Sequence, residues 1–154
     1  MNNQFSDIDV QLVKRTAMEI LYREPTNVTP LISFNPESGD FIIQGRSIPE
    51  NAEMFYSSIL GWLDCLCQDP PLKIVLTVEL EFLNIASSKR LLFVLYRLLE
   101  ARSKGCRVMV RWCYDRRDED MLEVGKDYSQ MVSDIPFEFL VYDAIQLHPN
   151  RKVS

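Results

Sequence analysis

Two segments of the chain alternate apolar and polar residues with a period of two. In the first, the apolar positions are Leu72, Ile74, Leu76, Val78, Leu80 and Phe82. In the second, they are Cys106, Val108, Val110, Trp112 and Tyr114. Successive side chains of a β-strand point to opposite faces, so the pattern predicts two strands, each with one core face and one largely polar face.

Three other segments space their apolar residues at steps of three and four, which predicts amphipathic helices. Their apolar positions are Phe55, Ile59, Trp62, Leu63 and Leu66 in the first, Leu91, Leu95, Leu98 and Leu99 in the second, and Met121, Val124, Tyr128 and Met131 in the third. Pro70 and Pro71 end the first helix. Gly105 suits the left-handed residue that often follows a helix, so the second helix is expected to end there.

Shorter strands flank this core pattern. Residues 31–34 and 41–45 border the turn-rich segment 35–40, in which Gly39 can supply a positive φ, so they predict a β-hairpin. Residues 135–141 supply a last strand. Strands that alternate with helices pair in parallel through right-handed crossovers, so the sequence predicts an α/β fold with an open mixed sheet. The polar strand faces place the helices mainly on one face.

The N-terminal segment predicts one more element. Residues 7–23 put several apolar side chains near one helical face, namely Ile8, Leu12, Ala17, Ile20 and Leu21. The proline-containing segment 24–30 then interrupts the pattern and reads as a linker. We therefore divide the chain into an extra helix with its linker (1–28), one domain (29–145) and a flexible tail (146–154).

Charge and composition exclude several function classes. Hydrophobic residues make up 47% of the 154 residues, enough for one core, and the formal charge is -5. Lys and Arg form no long run, so neither nucleic acid nor an anionic membrane is an expected partner. The N-terminus lacks the order of a signal peptide, and no apolar stretch approaches the ~20 residues that span a bilayer. A cytoplasmic location is expected.

The residues that carry chemistry do not form an enzyme motif. His148, the single histidine, lies in the predicted tail, and there is no glycine-rich phosphate loop. Cys65 and Cys67 point in different directions on a helix, so a metal site is not expected there. The acidic segment 115–120 suits a solvated loop and a helix start better than a cation site. No cofactor or metal is predicted, and an enzyme with an unrecognised acidic or cysteine site stays an alternative.

Ser87 and Ser88 lie where a predicted strand gives way to a helix. A phosphate on either hydroxyl would meet free backbone N–H groups and the positive end of the helix dipole. Taken alone, the motif is better explained by an ordinary N-cap, because serine before an apolar helical run is a common capping signal. The phosphorylated switch is the alternative.

Three segments resemble the SiaC-type regulatory phosphoproteins, whose fold is similar to the STAS domain of anti-sigma factor antagonists. They are TPLISFNPESGDFIIQGRSIPENAEMFY (29–56), LNIASSK (83–89) and RWCYDRRDEDMLEVGKDY (111–128). The resemblance implies a STAS-like, non-enzymatic module that a kinase phosphorylates and a PP2C-type phosphatase restores. Its unphosphorylated form would bind and activate a diguanylate cyclase, which favours biofilm formation through c-di-GMP.

The chain departs from the family at the phosphorylation site that the resemblance implies. The family loop reads Leu-Asn-Thr-Ser-Ser, with the phosphate on the threonine, and Ile85 occupies that position here. Phosphorylation would therefore need Ser87 or Ser88. The alternative is a paralogue that cannot be switched and holds its partner constitutively.

We expect the partner-binding surface to be the loop that follows the first of the two alternating strands. Its residues are Asn84, Ile85, Ala86, Ser87, Ser88 and Lys89. Loops at the carboxyl end of sheet strands are held rigidly and remain open to ligands. A carboxylate at Ile85 or Ser87 is expected to release the partner without changing the stability of the fold.

Overall fold

The computed structural model describes residues 18–144. The strands are β1 (Leu21–Arg23), β2 (Leu31–Phe34), β3 (Asp40–Ser47), β4 (Lys73–Leu83), β5 (Arg107–Asp115) and β6 (Phe137–Tyr142). The helices are α1 (Ala52–Gln68) between β3 and β4, α2 (Ile85–Ser103) between β4 and β5, and α3 (Glu119–Met131) between β5 and β6. The hairpin and the alternation of helices and strands after it are confirmed.

Within the described residues, the strands form one open mixed sheet in the order β1-β2-β3-β4-β5-β6. The first three strands pair antiparallel, and β3 to β6 pair in parallel. Gly39 closes the β2–β3 turn with φ of 79°. A Cβ at Gly39 would also collide with the backbone oxygen of Lys73, so the turn requires glycine for both reasons.

The three helices lie on one face of the sheet, as the strand pattern predicted. Each helix connects a parallel strand to its neighbour in the sheet, and each step moves towards β6. Right-handed crossovers that all move the same way place all three helices on the same face. The side chains of β4 that face them, Ile74, Leu76, Val78 and Leu80, are all at most 2% exposed. On the opposite face, Arg111 pairs with Glu138 across β5 and β6 at 3.6 Å.

The prediction of a helix through residue 23 is wrong at its C-terminal end. Leu21–Arg23 is an edge strand, and Leu21 pairs with Phe34 of β2 and is 6% exposed. Pro25 disfavours the helical region for the residue before it, and the buried contact of Leu21 outweighs the helical spacing. The first strand thus precedes residue 29, the predicted start of the domain. The rest of the predicted N-terminal helix, and the predicted tail, fall on residues 1–17 and 145–154, outside the described part.

The alternation of β4 also fails at its two ends. Leu72 and Phe82 were placed on the core face, yet they are 76% and 49% exposed. Leu72 precedes the strand. Near Phe82 the pairing of β3 with β4 shifts at Gly45 and Arg46, so the side chains beyond the shift change faces. A period-two pattern therefore locates the strand but not its buried limits.

Candidate functional site

The predicted partner-binding segment is the start of a helix and not a loop. Asn84 is the N-cap of α2, and its Oδ1 accepts a hydrogen bond from Ser87 N at 2.8 Å. Its own backbone N–H donates to Ser47 O at 3.0 Å, and its side-chain amide donates to Pro49 O at 3.3 Å. Asparagine caps a helix as well as serine does. The capping role considered for Ser87 and Ser88 is therefore wrong, and both lie inside the first turn.

Ile85 is the first residue of α2 and is 90% exposed. Ala86 and Lys89 on the same turn are also exposed. A solitary exposed apolar side chain is ordinary. Ile85, however, follows Asn84, whose three hydrogen bonds fix the helix start to β3, to Pro49 after β3 and to α2. Ile85 is therefore presented to solvent from a rigid base, as a binding residue would be.

The expectation that Ser87 exposes its hydroxyl is wrong. Ser87 is 0% exposed, and Ser47 Oγ donates a hydrogen bond to Ser87 Oγ at 2.8 Å. Ser88 is half-buried, and its hydroxyl donates to Ile85 O at 2.7 Å. On the third residue of a helix the side chain can face the core or solvent depending on how the helix packs. Here the packing of α2 turns Ser87 inward.

A buried network of hydroxyls supports this helix start from below. Ser47 Oγ, which bonds to Ser87, also shares a hydrogen bond with the phenol of Tyr56 at 2.7 Å. Burial raises the pKa of Tyr56 to about 12, and the hydrogen bond with Ser47 opposes that shift. Tyr128 of α3 donates to Ser88 O at 2.7 Å. Side chains of β3, α1 and α3 thus hold the first turn of α2 in place.

Three more exposed apolar side chains lie at the same end of the sheet as Ile85. Ile48 follows β3 and is 37% exposed, Met54 in the first turn of α1 is 73% exposed, and Phe82 of β4 is 49% exposed. We call these three side chains and Ile85 the apical patch. The ion pair of Arg90 with Glu53 at 3.6 Å joins the starts of α2 and α1 beside the patch. Several apolar side chains left in water at one end of a fold are typical of a protein–protein contact.

Sequence reasoning did not include Ile48, Met54 or Phe82 in the candidate site. Met54 could have been found, because it falls outside the three- and four-residue steps that bury α1. Phe82 could not, because its alternation with Leu80 predicted burial. Ser47 and Pro49, which bond to Asn84 and Ser87, are remote from them in sequence. No local pattern indicates these partners.

Two groups that the sequence offered for chemistry, Cys67 and Asp118, lie in structural positions. Burial raises the pKa of Cys67 to about 11, and the nearby carboxylate of Glu100 adds to the rise, so this thiol is protonated at neutral pH. Asp118 caps α3 by accepting from Met121 N at 3.0 Å. In the span 18–144, no three His, Cys, Asp or Glu side chains converge as metal ligands, and none of its helices could cross a membrane.

Comparison with known proteins decides the family. The profile of the SiaC family regulatory phosphoproteins matches residues 23–142. This chain belongs to the SiaC family. An uncharacterised protein of Pseudomonas aeruginosa (strain UCBPP-PA14) is 32% identical over 126 residues, which cover 82% of this chain and 99% of the relative. The likeness to STAS domains stays a prediction.

Solved structures of SiaC share the fold of this SiaC-family chain. Apo-SiaC from P. aeruginosa is 30% identical with a TM-score of 0.73, and the match covers 79% of this chain and 98% of that one. A second structure, the diguanylate cyclase SiaD in complex with its activator SiaC, gives 30% identity and a TM-score of 0.73 over 79% of this chain and 99% of the other. The predicted α/β architecture and the family are therefore confirmed.

Proposed function

We propose that this SiaC-family chain is a cytoplasmic, non-enzymatic protein that binds and activates a diguanylate cyclase. The observation that carries the proposal is the exposed Ile85, on a firmly held helix start at the position of the family phosphothreonine. The complex of SiaC with the cyclase SiaD supports the choice of partner class. Activation by binding needs no catalytic group in this chain, which agrees with the protonated Cys67 thiol.

The binding surface that we propose consists of the exposed residues between Asn84 and Lys89 together with the apical patch. Ile85 is the centre of this surface, because it has the most apolar area to lose from water. Burying an isoleucine side chain fully stabilises a contact by roughly 1.5–3 kcal/mol. Residues that contribute this much binding free energy near the middle of a contact commonly dominate its affinity. The Asn84 bonds hold Ile85 ready, so little conformational entropy is lost on binding.

Control by a kinase and a PP2C-type phosphatase would have to act on Ser88. Ser87 is fully buried, so a kinase would reach it only after the first turn of α2 opens. Ser88 is half-buried, and its hydroxyl bonds within the helix. The burial of Ser87 and the missing hydroxyl at Ile85 favour a second candidate, in which the chain binds its cyclase constitutively. Both candidates share the same binding surface.

The proposal is tested by titrating the chain against a diguanylate cyclase, with SiaD as the first probe and the cyclases of the source organism next. Cyclase activity should rise on addition of the parent chain. Ile85→Asp should weaken binding by a factor of ten or more, since about 2 kcal/mol of apolar contact is replaced by a buried charge. Ser129→Asp on α3 is the control and should bind like the parent. If no cyclase responds to the parent chain, the proposed function is wrong.

Intact-mass measurement with the cognate kinase separates the switchable from the constitutive candidate. The parent and Ser88→Ala are compared with Ile85→Thr, which restores an exposed hydroxyl of similar shape at the family position. Phosphate on the parent that disappears in Ser88→Ala supports the switch. An unmodified parent beside a phosphorylated Ile85→Thr supports constitutive binding.

A further inference from the structure

A pocket of about 570 Å³ opens at the end of the sheet opposite to Ile85. Its apolar lining comes from Met18, Pro36, Leu66, Pro71 and Leu72. The lining residues lie at the β2–β3 turn, the end of α1 and the start of β4. The length of β4 separates this pocket from the helix start proposed to bind a cyclase, about 30 Å at the rise of a strand.

Leu72 leaves apolar surface in water at the mouth of the pocket. It is 76% exposed, and among the large hydrophobic side chains of residues 18–144 only Ile85 is more exposed. Its backbone is nevertheless held, because Leu72 O accepts a hydrogen bond from Arg107 N at 2.9 Å. An apolar side chain fixed at the mouth of such a pocket stabilises a bound apolar segment, because covering the side chain removes it from water.

We propose that residues 1–17 of the same chain bind in this pocket. Met18 is both the residue that follows this segment and part of the pocket wall, and it packs against the core. The segment therefore leaves the fold directly at the pocket. The family match begins at residue 23, so the segment is an addition to the family domain and the proposal does not rest on the cyclase function.

The pattern of the segment suits the pocket. Phe5, Ile8 and Leu12 recur at steps of three and four, which would place them on one face of a helix. A helical segment of this length would extend about 25 Å, enough to lay that face across the pocket.

The basic end of the segment also suits the charge of the pocket. Lys14 and Arg15 lie four and three residues before Met18. The pocket lining carries two carboxylates, Glu37 and Asp69, against one cation, Lys73. Because the segment is tethered at the pocket wall, its effective concentration there is in the millimolar range. At that effective concentration, a contact too weak to hold two separate molecules together can still keep the tethered segment bound.

A double-mutant cycle in the full-length chain tests the proposal. Leu12→Ser and Leu72→Ser should each lower the melting temperature by about 3–6 °C, because each removes one side of the same apolar contact. The double variant should melt no lower than either single variant. Hydrogen exchange of the amides near Leu12 should be slow in the parent and fast in Leu72→Ser.

Met131→Ser is the matched control, since Met131 is 57% exposed at the end of α3 and is not part of the pocket. Its effect should add to that of Leu12→Ser. Additive losses for Leu12 and Leu72 would overturn the proposal, and so would fast exchange near Leu12 in the parent. Coupling that disappears on dilution would assign the pocket to a second copy of the chain, which also overturns it. Cyclase activation should be unchanged in Leu72→Ser, so the two proposals fail separately.

Discussion

A carboxylate placed at Ile85 and one placed at Ser87 should have opposite effects on folding, although the two residues are neighbours on one helical turn. The sequence alone predicted no effect on stability at either position. Ile85 is 90% exposed, so the aspartate of Ile85→Asp stays in water at the positive end of α2. That position stabilises a negative charge by about 0.3–1 kcal/mol. Ser87 is 0% exposed, so the aspartate of Ser87→Asp is buried.

The cost at Ser87 follows from its surroundings. Removing a carboxylate from water costs several kcal/mol even after the protein relaxes. The helix dipole offsets about 1 kcal/mol, and a hydrogen bond from the hydroxyl of Ser47, now 2.8 Å from Ser87 Oγ, offsets about 1–2 kcal/mol. The net loss in the free energy of unfolding should be about 2–4 kcal/mol. Ser87→Asn has nearly the same shape without the charge, so the difference between the two variants isolates the charge.

Urea unfolding at several pH values measures this difference. Burial raises the pKa of the new carboxyl in the folded state above about 3.9, its unfolded value. The penalty is therefore absent below about pH 4 and grows as the pH rises towards the folded-state pKa. At neutral pH, Ser87→Asp should unfold at a lower urea concentration than Ser87→Asn, and Ile85→Asp should unfold at a slightly higher urea concentration than the parent. Equal midpoints for Ser87→Asp and Ser87→Asn at neutral pH would refute the reasoning.

Two further predictions concern the helix glycines and the buried phenol of Tyr56. Gly61→Ala should raise the free energy of unfolding by about 0.5–1 kcal/mol, because no atom lies within 4 Å of the added Cβ in α1. Gly125→Ala should lower the free energy of unfolding by about 1–2 kcal/mol, because its Cβ would meet the Trp112 ring at 2.5 Å. Thermal melts of both variants decide the matter, and two shifts of the same sign would contradict it. The raised pKa of Tyr56 stabilises the fold below about pH 10, and this contribution is lost as the pH rises to about 12. Tyr56→Phe should therefore lose less stability than the parent between about pH 10 and about pH 12. Urea midpoints that fall equally for parent and variant across that window would show that Tyr56 does not contribute.

Most of the architecture could be predicted from the sequence because burial on one side imposes a period on each element. The central strand alternates from Leu76 to Leu80 as the pattern predicted, since the helices cover a single face of the sheet. Val75 is the exception, because it was predicted on the polar face and is 7% exposed. The turn at Gly39 and the helix end at Gly105 were also predictable, because their positive φ values of 79° and 99° favour glycine. The family resemblance added the position of the candidate site at the start of α2.

The tertiary structure decided what a local period cannot. Leu21 continues a helical spacing, but its pairing with Phe34 makes it part of a strand, and that partner lies beyond two prolines. Ser87 and Ser88 are equivalent as sequence, yet only Ser87 faces the core. There its hydroxyl meets Ser47 of β3, which Tyr56 of α1 holds by a second hydrogen bond. The period of the apolar and polar pattern in a strand or helix predicts which of its residues share a face. Which neighbours that face meets depends on long-range packing, and at this site that packing leaves Ile85 exposed and Ser87 buried.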